Sequence, residues 1–230
     1  MSTQERAPEH LRFAVLATDV ALFSIRDGQL VVRMMRVDRP PHFPGVPGFP
    51  GGLIDEAETA RDAAERVIAS RGGVQTKKIH LEQLYTFDDV SRDPRGRVVS
   101  VAFLGLVPWE HLSAEEQADT TEHFWMPANT KKTLAYDHAY VLEIALRRLV
   151  ARVSYTTIIA KLLPDTFTLT EMQAAIESIS GHPLDKRNFR KKILQLDILK
   201  PLDTKRVGGR SRPAALYRFA STEVKATVEL

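Results

Sequence analysis

The chain contains 230 residues, of which 32 are Lys or Arg and 29 are Asp or Glu, and it has no cysteine. Hydrophobic residues make up 43% and charged residues 27%, a composition typical of folded proteins that excludes a mostly disordered chain. The lack of cysteine excludes a disulfide framework, a thiolate zinc site and a cysteine nucleophile. No apolar run approaches the roughly 18 to 20 residues that span a bilayer, and the polar N-terminus lacks the apolar core of a signal peptide. We therefore expect a soluble, cytoplasmic protein with one large domain or two small ones.

Charge is distributed unevenly along the chain. Residues 151–230 carry 14 Lys and Arg against 8 Asp and Glu, which leaves 18 against 21 in residues 1–150. Residues 186–212 alone carry 10 basic and 2 acidic residues. This asymmetry favours two domains with different partners, although a solvated lysine-rich face would give the same counts.

The first elements are predicted to be strands followed by a loop. An apolar run at 13–23 predicts a buried strand, and 29–37 reads as its hairpin partner across the turn at Asp27 and Gly28. Residues 39–52 contain five Pro and four Gly. This composition is incompatible with a helix or a central strand, so we predict a shaped loop.

The rest of the N-terminal half alternates between helices and strands. Apolar spacing predicts a helix over 59–71, ended by a Gly-Gly pair, and a long closing helix over 137–152. Residues 80–87 and 97–107 are predicted strands. We therefore predict an α/β/α sandwich over residues 1–152.

The C-terminal half, residues 153–230, has a different order of elements. Thr168 and Glu171 form a capping box that begins its second helix, and Gly181 ends that helix. Three predicted helices and two predicted strands occupy residues 155–163, 168–180, 185–196, 199–202 and 215–219. Three helices followed by a basic hairpin are typical of a winged helix-turn-helix, so the whole chain is predicted to be α+β.

The third helix of this half and the loop between its strands are rich in groups that bind nucleic acid. Arg can bond guanine through two acceptors and Asn can bond adenine in the same way, while cations around a Gly-Gly tip suit phosphate or minor-groove contacts. The alternative is a surface helix with solvated charges. The candidate DNA-contacting residues are Lys186, Arg187, Asn188, Arg190, Lys191, Lys205, Arg206, Arg210 and Arg212.

Part of the first domain reproduces the spacing of a known box. Gly52, Glu58, Arg66 and Gly73 fit the pattern G-x5-E-x7-R-E-U-x-E-E-x-G-U, in which U is apolar. The first domain therefore resembles the Nudix family over about residues 10–150. In that family a row of Glu on the helix holds Mg²⁺ or Mn²⁺ against a diphosphate, because hard cations prefer carboxylate oxygens.

The box lacks the glutamates that this chemistry requires. Val67, Ser70 and Arg71 stand at the three Glu positions after the arginine, and the positive charge of Arg71 would repel a cation. Glu58 and Arg66 could still form a salt bridge that serves the fold. We therefore expect no catalytic residues, no metal and no hydrolase activity.

A degenerate Nudix domain joined to a basic winged helix resembles the NrtR family, the Nudix-related transcriptional regulators of NAD metabolism. The resemblance covers nearly the whole chain and rests on residues 86–101, 181–193 and 206–219. It implies a homodimeric bacterial repressor of NAD biosynthesis or salvage genes that binds double-stranded DNA at a palindromic operator. It also implies that ADP-ribose or a related NAD-derived nucleotide binds the Nudix domain and releases the operator, with no other cofactor.

A ligand of this kind carries two phosphates, two riboses and a purine. Without a metal, arginines and backbone N–H groups of the Gly-rich loop would have to neutralise the phosphate charge. Carboxylates and a histidine could form hydrogen bonds with the ribose hydroxyls. A phenylalanine could lie against the purine. The alternatives are core packing for the aromatic and histidine side chains, turn geometry for the glycines and solvation for the loop charges. The candidate ligand-binding residues are Arg33, Arg36, Phe49, Gly51, Gly52, Asp88, Arg92, Arg95, Arg97, Asp137 and His138.

Two other functions remain open from the sequence. One is a metal-dependent Nudix pyrophosphatase that acts on ADP-ribose or NADH and carries an accessory nucleic-acid-binding domain. The other is a nucleotide sensor that binds a protein partner through the third helix of the C-terminal half.

Overall fold

The computed structural model describes residues 14–206 and 213–227. None of the helices in this part of the chain is both long and apolar enough to cross a membrane. The strands are β1 (Val15–Arg26), β2 (Gln29–Arg39), β3 (Phe43–Gly48), β4 (Gly51–Leu53), β5 (His80–Phe87), β6 (Val98–Leu106), β7 (His123–Pro127), β8 (Leu199–Arg206) and β9 (Ala214–Phe219). The helices are α1 (Ala60–Gly72), α2 (Ala114–Gln117), α3 (His138–Tyr155), α4 (Leu169–Ser180) and α5 (Lys186–Gln195), with 3-10 turns at Trp109–His111 and Thr157–Lys161.

The first domain is built on a seven-stranded mixed sheet with β1 at its centre. The main order is β3-β2-β1-β6-β5, while β4 pairs with β1 and β7 pairs with β2. β1 and β6 run parallel, and β1 is antiparallel to β2 and β4. Alternate residues of β1 face opposite sides: Val20 and Leu22 pack with α1, and Ala21 and Phe23 pack in the core that includes α3. The predicted α/β/α sandwich is confirmed.

The proline-rich segment is not the loop that its composition predicted. Residues 43–48 form β3 and residues 51–53 form β4. β3 pairs only with β2 among the described strands, with Pro47 opposite Arg36. An edge strand tolerates proline because one side of it makes no ladder hydrogen bonds. The proline content of residues 39–52 excludes a central strand but is compatible with an edge strand such as β3.

Helix α1 forms where its apolar spacing predicts it. Thr59 and Asp62 make a capping box at its start, and Gly73 ends it in the left-handed conformation with φ 64°. Ala64 and Val67 are fully buried against the sheet. Segment 51–58 therefore lies between β1, with which β4 pairs, and the N-terminus of α1.

The second domain contains the helices and the hairpin of a winged helix-turn-helix. The capping box of Thr168 and Glu171 begins α4, Gly181 ends it at φ 74°, and the Asp185 side chain accepts from the Asn188 N–H at the start of α5. β8 is longer than the predicted strand 199–202. It continues through a bulge to Arg206, and it pairs with β9.

The junction between the two domains is a helix rather than a linker. α3 runs through residue 152, where we predicted the boundary, and ends at Tyr155. One continuous hydrophobic cluster joins Phe23 and Leu30 of the sheet to Met172 of α4 and Phe189 of α5. The two domains therefore share one hydrophobic core.

Candidate functional site

The first domain contains two neighbouring cavities. The first has a volume of about 420 Å³ and is lined by β1, β2, the Gly-rich segment 49–53, the C-terminal part of α1 and the start of α3. The second has a volume of about 440 Å³ and is lined by aromatic and acidic residues of segments 85–92 and 136–140. Arg92 and Tyr136 line both cavities, so these two residues form a wall that the cavities share.

A buried ionic network forms the floor of the site. Asp19 is buried, and its Oδ2 accepts from the Arg92 guanidinium at 3.0 Å and from the Ser100 hydroxyl at 2.6 Å. Arg92 also donates two hydrogen bonds, of 2.8 and 2.9 Å, to the two oxygens of Asp137. A fork of this geometry fixes the orientation of the guanidinium. The charge of Arg92 is thus balanced by two carboxylates.

His138 is held between the floor and the Gly-rich segment. Its Nδ1 accepts the backbone N–H of Phe49 at 2.9 Å, so this nitrogen carries no proton. The proton therefore lies on Nε2, which is 3.4 Å from Asp19 Oδ1. The buried Phe49 ring lies 5.1 Å from the imidazole, and both side chains line the first cavity. The histidine thus orients the segment that would meet the ligand.

Asp19 and Arg92 both stay charged over a wide pH range. Burial alone would raise the pKa of Asp19, but His138, Arg92 and Ser100 outweigh it and hold that pKa well below its usual range. Burial would likewise lower the pKa of Arg92, but Asp137 and Asp19 raise it above its usual value. The cavity floor therefore presents a charged Asp19–Arg92 pair.

A second ion pair lies at the rim. Arg95 donates to the buried Asp93 at 2.7 and 3.0 Å, and its guanidinium lies 5.5 Å from the centre of the Tyr136 ring. Although burial opposes it, the contact with Arg95 lowers the pKa of Asp93, while burial raises the pKa of Tyr136. Arg95 is half-exposed but Asp93 is buried, so Arg95 has to keep this contact or leave a buried carboxylate unpaired.

Glycine is required where the Gly-rich segment meets the floor. A Cβ at Gly51 would lie 2.1 Å from Asp19 Oδ1 and 2.9 Å from the Thr18 carbonyl oxygen, distances that no side chain tolerates. The absence of a side chain thus lets the backbone of β4 lie directly on the ionic floor.

The remaining Nudix-box residues have structural contacts. Arg66 donates to both oxygens of Glu58, at 2.5 and 2.7 Å, and to the Leu53 carbonyl at 2.9 Å. This pairing lowers the pKa of Glu58 and raises that of Arg66. The two residues lock the segment before α1 to the helix, as the sequence suggested, and Gly73 ends that helix.

The structure brings most of the predicted ligand-binding residues together. The first cavity is lined by Arg36, Phe49, Gly51, Gly52, Arg92, Arg95 and His138. The second is lined by Asp88 and Asp137, together with Arg92. Sequence reasoning missed Asp19, Asp93 and Tyr136, which become neighbours of these residues only through the fold.

Two predicted ligand residues line neither cavity, and their assignment is corrected. Arg33 is fully buried: it donates to the Gly72 carbonyl at 2.7 Å and contacts His123 Nδ1 at 2.9 Å. Burial lowers the pKa of Arg33 to about 10. Strand alternation explains its position, since Arg33 shares a face with Val31 toward α1. Arg97 donates to the Asp88 carbonyl at 2.6 Å and so braces the loop beside the second cavity.

The outer face of α5 is basic and free of ion pairs within the described part of the chain. Phe189 and Ile193 are buried beneath it. Arg190 is half-buried and donates to the Thr170 hydroxyl at 3.2 Å, which ties α5 to the start of α4. The exposed predicted DNA-contacting residues of this helix are Lys186, Arg187, Asn188 and Lys191.

The wing carries further predicted contacts. Lys205 is exposed on β8. Arg206 forms an ion pair with Glu171 of α4 and donates to the Thr166 carbonyl at 3.2 Å, so its guanidinium is held against its own domain. Arg210 and Arg212 lie outside the described residues.

The fold and the two surfaces define a class of protein in which a Nudix domain is fused to a winged helix-turn-helix. Residues 15–143 match the family model of the NUDIX domain, and residues 159–219 match that of the NrtR DNA-binding winged helix domain. The chain therefore belongs to the NrtR family of Nudix-related regulators.

Individual relatives agree with this assignment. The chain is 32% identical over 211 residues to the "ADPR responsive transcriptional repressor NtrR" of Acinetobacter baylyi, covering 90% of this chain and 82% of the relative. It superposes on Shewanella oneidensis NrtR complexed with a 27mer DNA with a TM-score of 0.77 and 32% identity, covering 89% of this chain and 93% of that one. The Nudix domain of the same Shewanella protein, complexed with ADP ribose, matches with a TM-score of 0.53 and 31% identity over 63% of this chain and 94% of that one.

A relative with an enzyme name matches less of the chain. The ADP-ribose pyrophosphatase of Methanocaldococcus jannaschii is 33% identical over 105 residues, which cover 46% of this chain and 60% of the relative. The similarity to the repressor thus spans both domains, whereas the similarity to the pyrophosphatase covers less than half of the chain.

Proposed function

We propose that this protein is a transcriptional repressor that binds ADP-ribose or a related NAD-derived nucleotide in its Nudix domain and leaves its operator when the nucleotide binds. The observation that carries this proposal is the pairing, in one chain of the NrtR family, of an arginine-lined cavity with an exposed basic α5. Its targets are genes of NAD biosynthesis or salvage, as the family resemblance implies.

The two cavities suit an elongated nucleotide. The first supplies donors for phosphate oxygens through Arg36 and Arg95 and an aromatic wall through Phe49. The second cavity supplies carboxylates that can accept hydrogen bonds from ribose hydroxyls, together with tyrosine rings that can lie against a base. We propose that the ligand extends across Arg92 from one cavity to the other.

The DNA-binding surface is proposed to act as part of a homodimer. Two copies of α5 would enter successive major grooves about 34 Å apart, so the operator would be palindromic. Arg187 and Asn188 are exposed in the first turn of the helix, the part that reaches base edges in this class of domain. Lys205 and the wing would contact the backbone.

We further propose that the Nudix domain has no hydrolase activity. Val67 is fully buried among apolar side chains, the Ser70 hydroxyl donates to the Arg66 carbonyl at 2.8 Å, and Glu58 is occupied by Arg66. None of these positions can supply the free carboxylate that a box metal needs.

One paired experiment tests these proposals. The protein is mixed with DNA from upstream of NAD biosynthesis or salvage genes in a gel shift, with and without ADP-ribose, and the same protein is incubated with Mg²⁺ or Mn²⁺ and ADP-ribose while AMP release is followed. We expect a shifted band that ADP-ribose removes and no AMP. A band insensitive to ADP-ribose would overturn the effector assignment. Metal-dependent AMP release that Glu58→Gln abolishes would establish the pyrophosphatase instead.

A further inference from the structure

The arginine at the last glutamate position of the Nudix box points into the first cavity. Arg71 lies in the last turn of α1, and its guanidinium donates to the Gly51 carbonyl at 2.7 Å. The central carbon of this guanidinium (Cζ) lies 3.5 Å from the position that a Cβ on residue 52 would occupy. Arg71 also lines the first cavity. The side chain that replaces a metal ligand thus lies in the first cavity, beside the Gly-rich segment.

The residues around it do not fit a divalent cation. Within the described part of the chain, no group of three or more His, Asp or Glu side chains is arranged to hold a metal. A guanidinium at position 71 adds a positive charge where a hard cation would need oxygen ligands. The domain therefore differs in chemistry from a metal-dependent Nudix enzyme at the level of its own side chains.

Arg71 differs in its electrostatic pairing from Arg92 and Arg95, and it shares the lack of a carboxylate partner among the described residues with Arg36 and Arg39 of the same cavity. Arg92 is neutralised by Asp19 and Asp137, and Arg95 is paired with Asp93. Among the described residues Arg71 bonds a backbone carbonyl and no carboxylate. A guanidinium has five N–H donors, so donors and an uncompensated charge remain for a ligand.

We infer that Arg71 takes the place of the divalent cation and binds the diphosphate of the ligand directly. This inference rests on the proposed nucleotide-binding function. A planar guanidinium matches two phosphate oxygens, and its contact with Gly51 fixes it beside the Gly-rich segment before the ligand arrives. Nucleotide binding then requires no metal, because the Arg71 side chain both excludes a cation from this position and supplies positive charge in its place.

The test is isothermal titration of the full-length protein with ADP-ribose, in EDTA and in Mg²⁺. We expect the wild-type protein to bind ADP-ribose with the same affinity in EDTA and in Mg²⁺. Arg71→Gln keeps a donor for the Gly51 carbonyl but removes the charge, and it should weaken ADP-ribose binding by about 10- to 100-fold. Arg71→Lys keeps the charge without the fork and should be intermediate. Arg61→Ala is the matched control, since Arg61 is a half-exposed arginine of the same helix that pairs with Glu65 outside the cavity.

Two further measurements distinguish binding from structural effects. Adenosine lacks the diphosphate, so its affinity should be the same for wild type and Arg71→Gln. Operator affinity without ligand should also be unchanged. A wild-type requirement for Mg²⁺, or equal ADP-ribose affinity of Arg71→Gln and wild type, would overturn the inference while leaving the effector site intact. Failure of the wild type to bind ADP-ribose under both conditions would instead refute the proposed function itself.

Discussion

The backbone N–H of Leu30 donates a hydrogen bond of 2.5 Å to the hydroxyl of Ser178, and this bond links the two domains. Leu30 is the second residue of β2, and the far end of this strand, from Met35 to Arg39, lines the first cavity. Ser178 lies in α4, the helix that precedes α5 in the helix-turn-helix. One strand therefore extends from the proposed effector site to the DNA-binding domain, so a shift of β2 on ligand binding would act directly on α4.

We predict that Ser178→Ala weakens the communication between the two sites. The substitution leaves the Leu30 N–H without its partner but changes no residue of either proposed binding surface. Because effector coupling is typically worth about 1–3 kcal/mol and is reciprocal, the ratio of operator affinities without and with ADP-ribose should fall several-fold. Fluorescence anisotropy with labelled operator measures this ratio.

Ser180→Ala is the control for this experiment. Ser180 is the last residue of the same helix, and among the described residues its hydroxyl bonds only nearby backbone groups, the carbonyl oxygens of Glu177 and His182 and the N–H of His182. The control should preserve the affinity ratio. An unchanged ratio in Ser178→Ala would show that the hydrogen bond does not carry the coupling.

We predict that Arg187→Ala removes specific DNA binding and leaves the fold intact. Arg187 is exposed in the first turn of α5, and a bidentate arginine contact to a base is worth about 1–3 kcal/mol of discrimination. Binding to the operator should fall by about 10- to 100-fold, while weak binding to unrelated DNA should change little. Arg147→Ala is a suitable control, since Arg147 is an exposed arginine of α3 that pairs with Glu143. Retained operator affinity would contradict the role assigned to α5.

We predict that Asp19→Asn destabilises the protein in a pH-dependent way. Removing one partner of a buried ion pair costs about 3–5 kcal/mol, here because Arg92 would lose one of its two carboxylates. The lowered pKa of Asp19 means that its contribution to stability is complete above the unfolded-state value near 3.8 and is lost as pH falls below it. The difference in unfolding free energy between wild type and variant should therefore be constant at neutral pH and shrink below about pH 4.

Urea denaturation at a series of pH values measures this difference. Asp165→Asn, at a largely exposed aspartate that lies 3.3 Å from His111 Nε2, should change the free energy of unfolding by no more than about 1 kcal/mol across the series. A difference that stayed constant into the acid range would show that Asp19 is not held ionised by its neighbours.

The sequence was most informative where spacing along the chain determines structure. The apolar spacing located α1, and the capping box located α4. It was least informative about Asp19, which lies inside an apolar run that predicted only a buried strand. Its partners Ser100 and Arg92 are 81 and 73 positions away, and the parallel pairing of β1 with β6 brings Ser100 beside it. Such contacts depend on strand register, which one sequence does not specify.

Arg33 and β3 illustrate the same limit in two other ways. A charged residue in a strand suggested a ligand contact, but alternation turned Arg33 inward, where backbone carbonyls and His123 satisfy it. Proline content indicated a loop at 43–48, but proline excludes only central strands. In both cases the deciding factor was position in the sheet rather than residue type.

We predict that Glu171→Gln strengthens the electrostatic part of DNA binding. Glu171 pairs with Arg206 of the wing and also accepts the Thr168 N–H in the capping box of α4. Gln can keep the capping bond but cannot neutralise the guanidinium, so Arg206 becomes available to phosphate. If Arg206 gains one phosphate contact, the slope of log affinity against log salt should become more negative by about 0.9. The slope is measured by anisotropy titrations from low to high salt on the operator and on unrelated DNA. The slopes on the operator and on unrelated DNA should change equally, because phosphate contacts carry no sequence information.

Glu223→Gln is the control for this experiment. It lies at an exposed position of the same domain and changes the formal charge by the same amount without freeing an arginine, so it should leave the slope unchanged. An unchanged slope in Glu171→Gln would mean that Arg206 stays on α4 when DNA binds, and the wing would then contact DNA through its other cations.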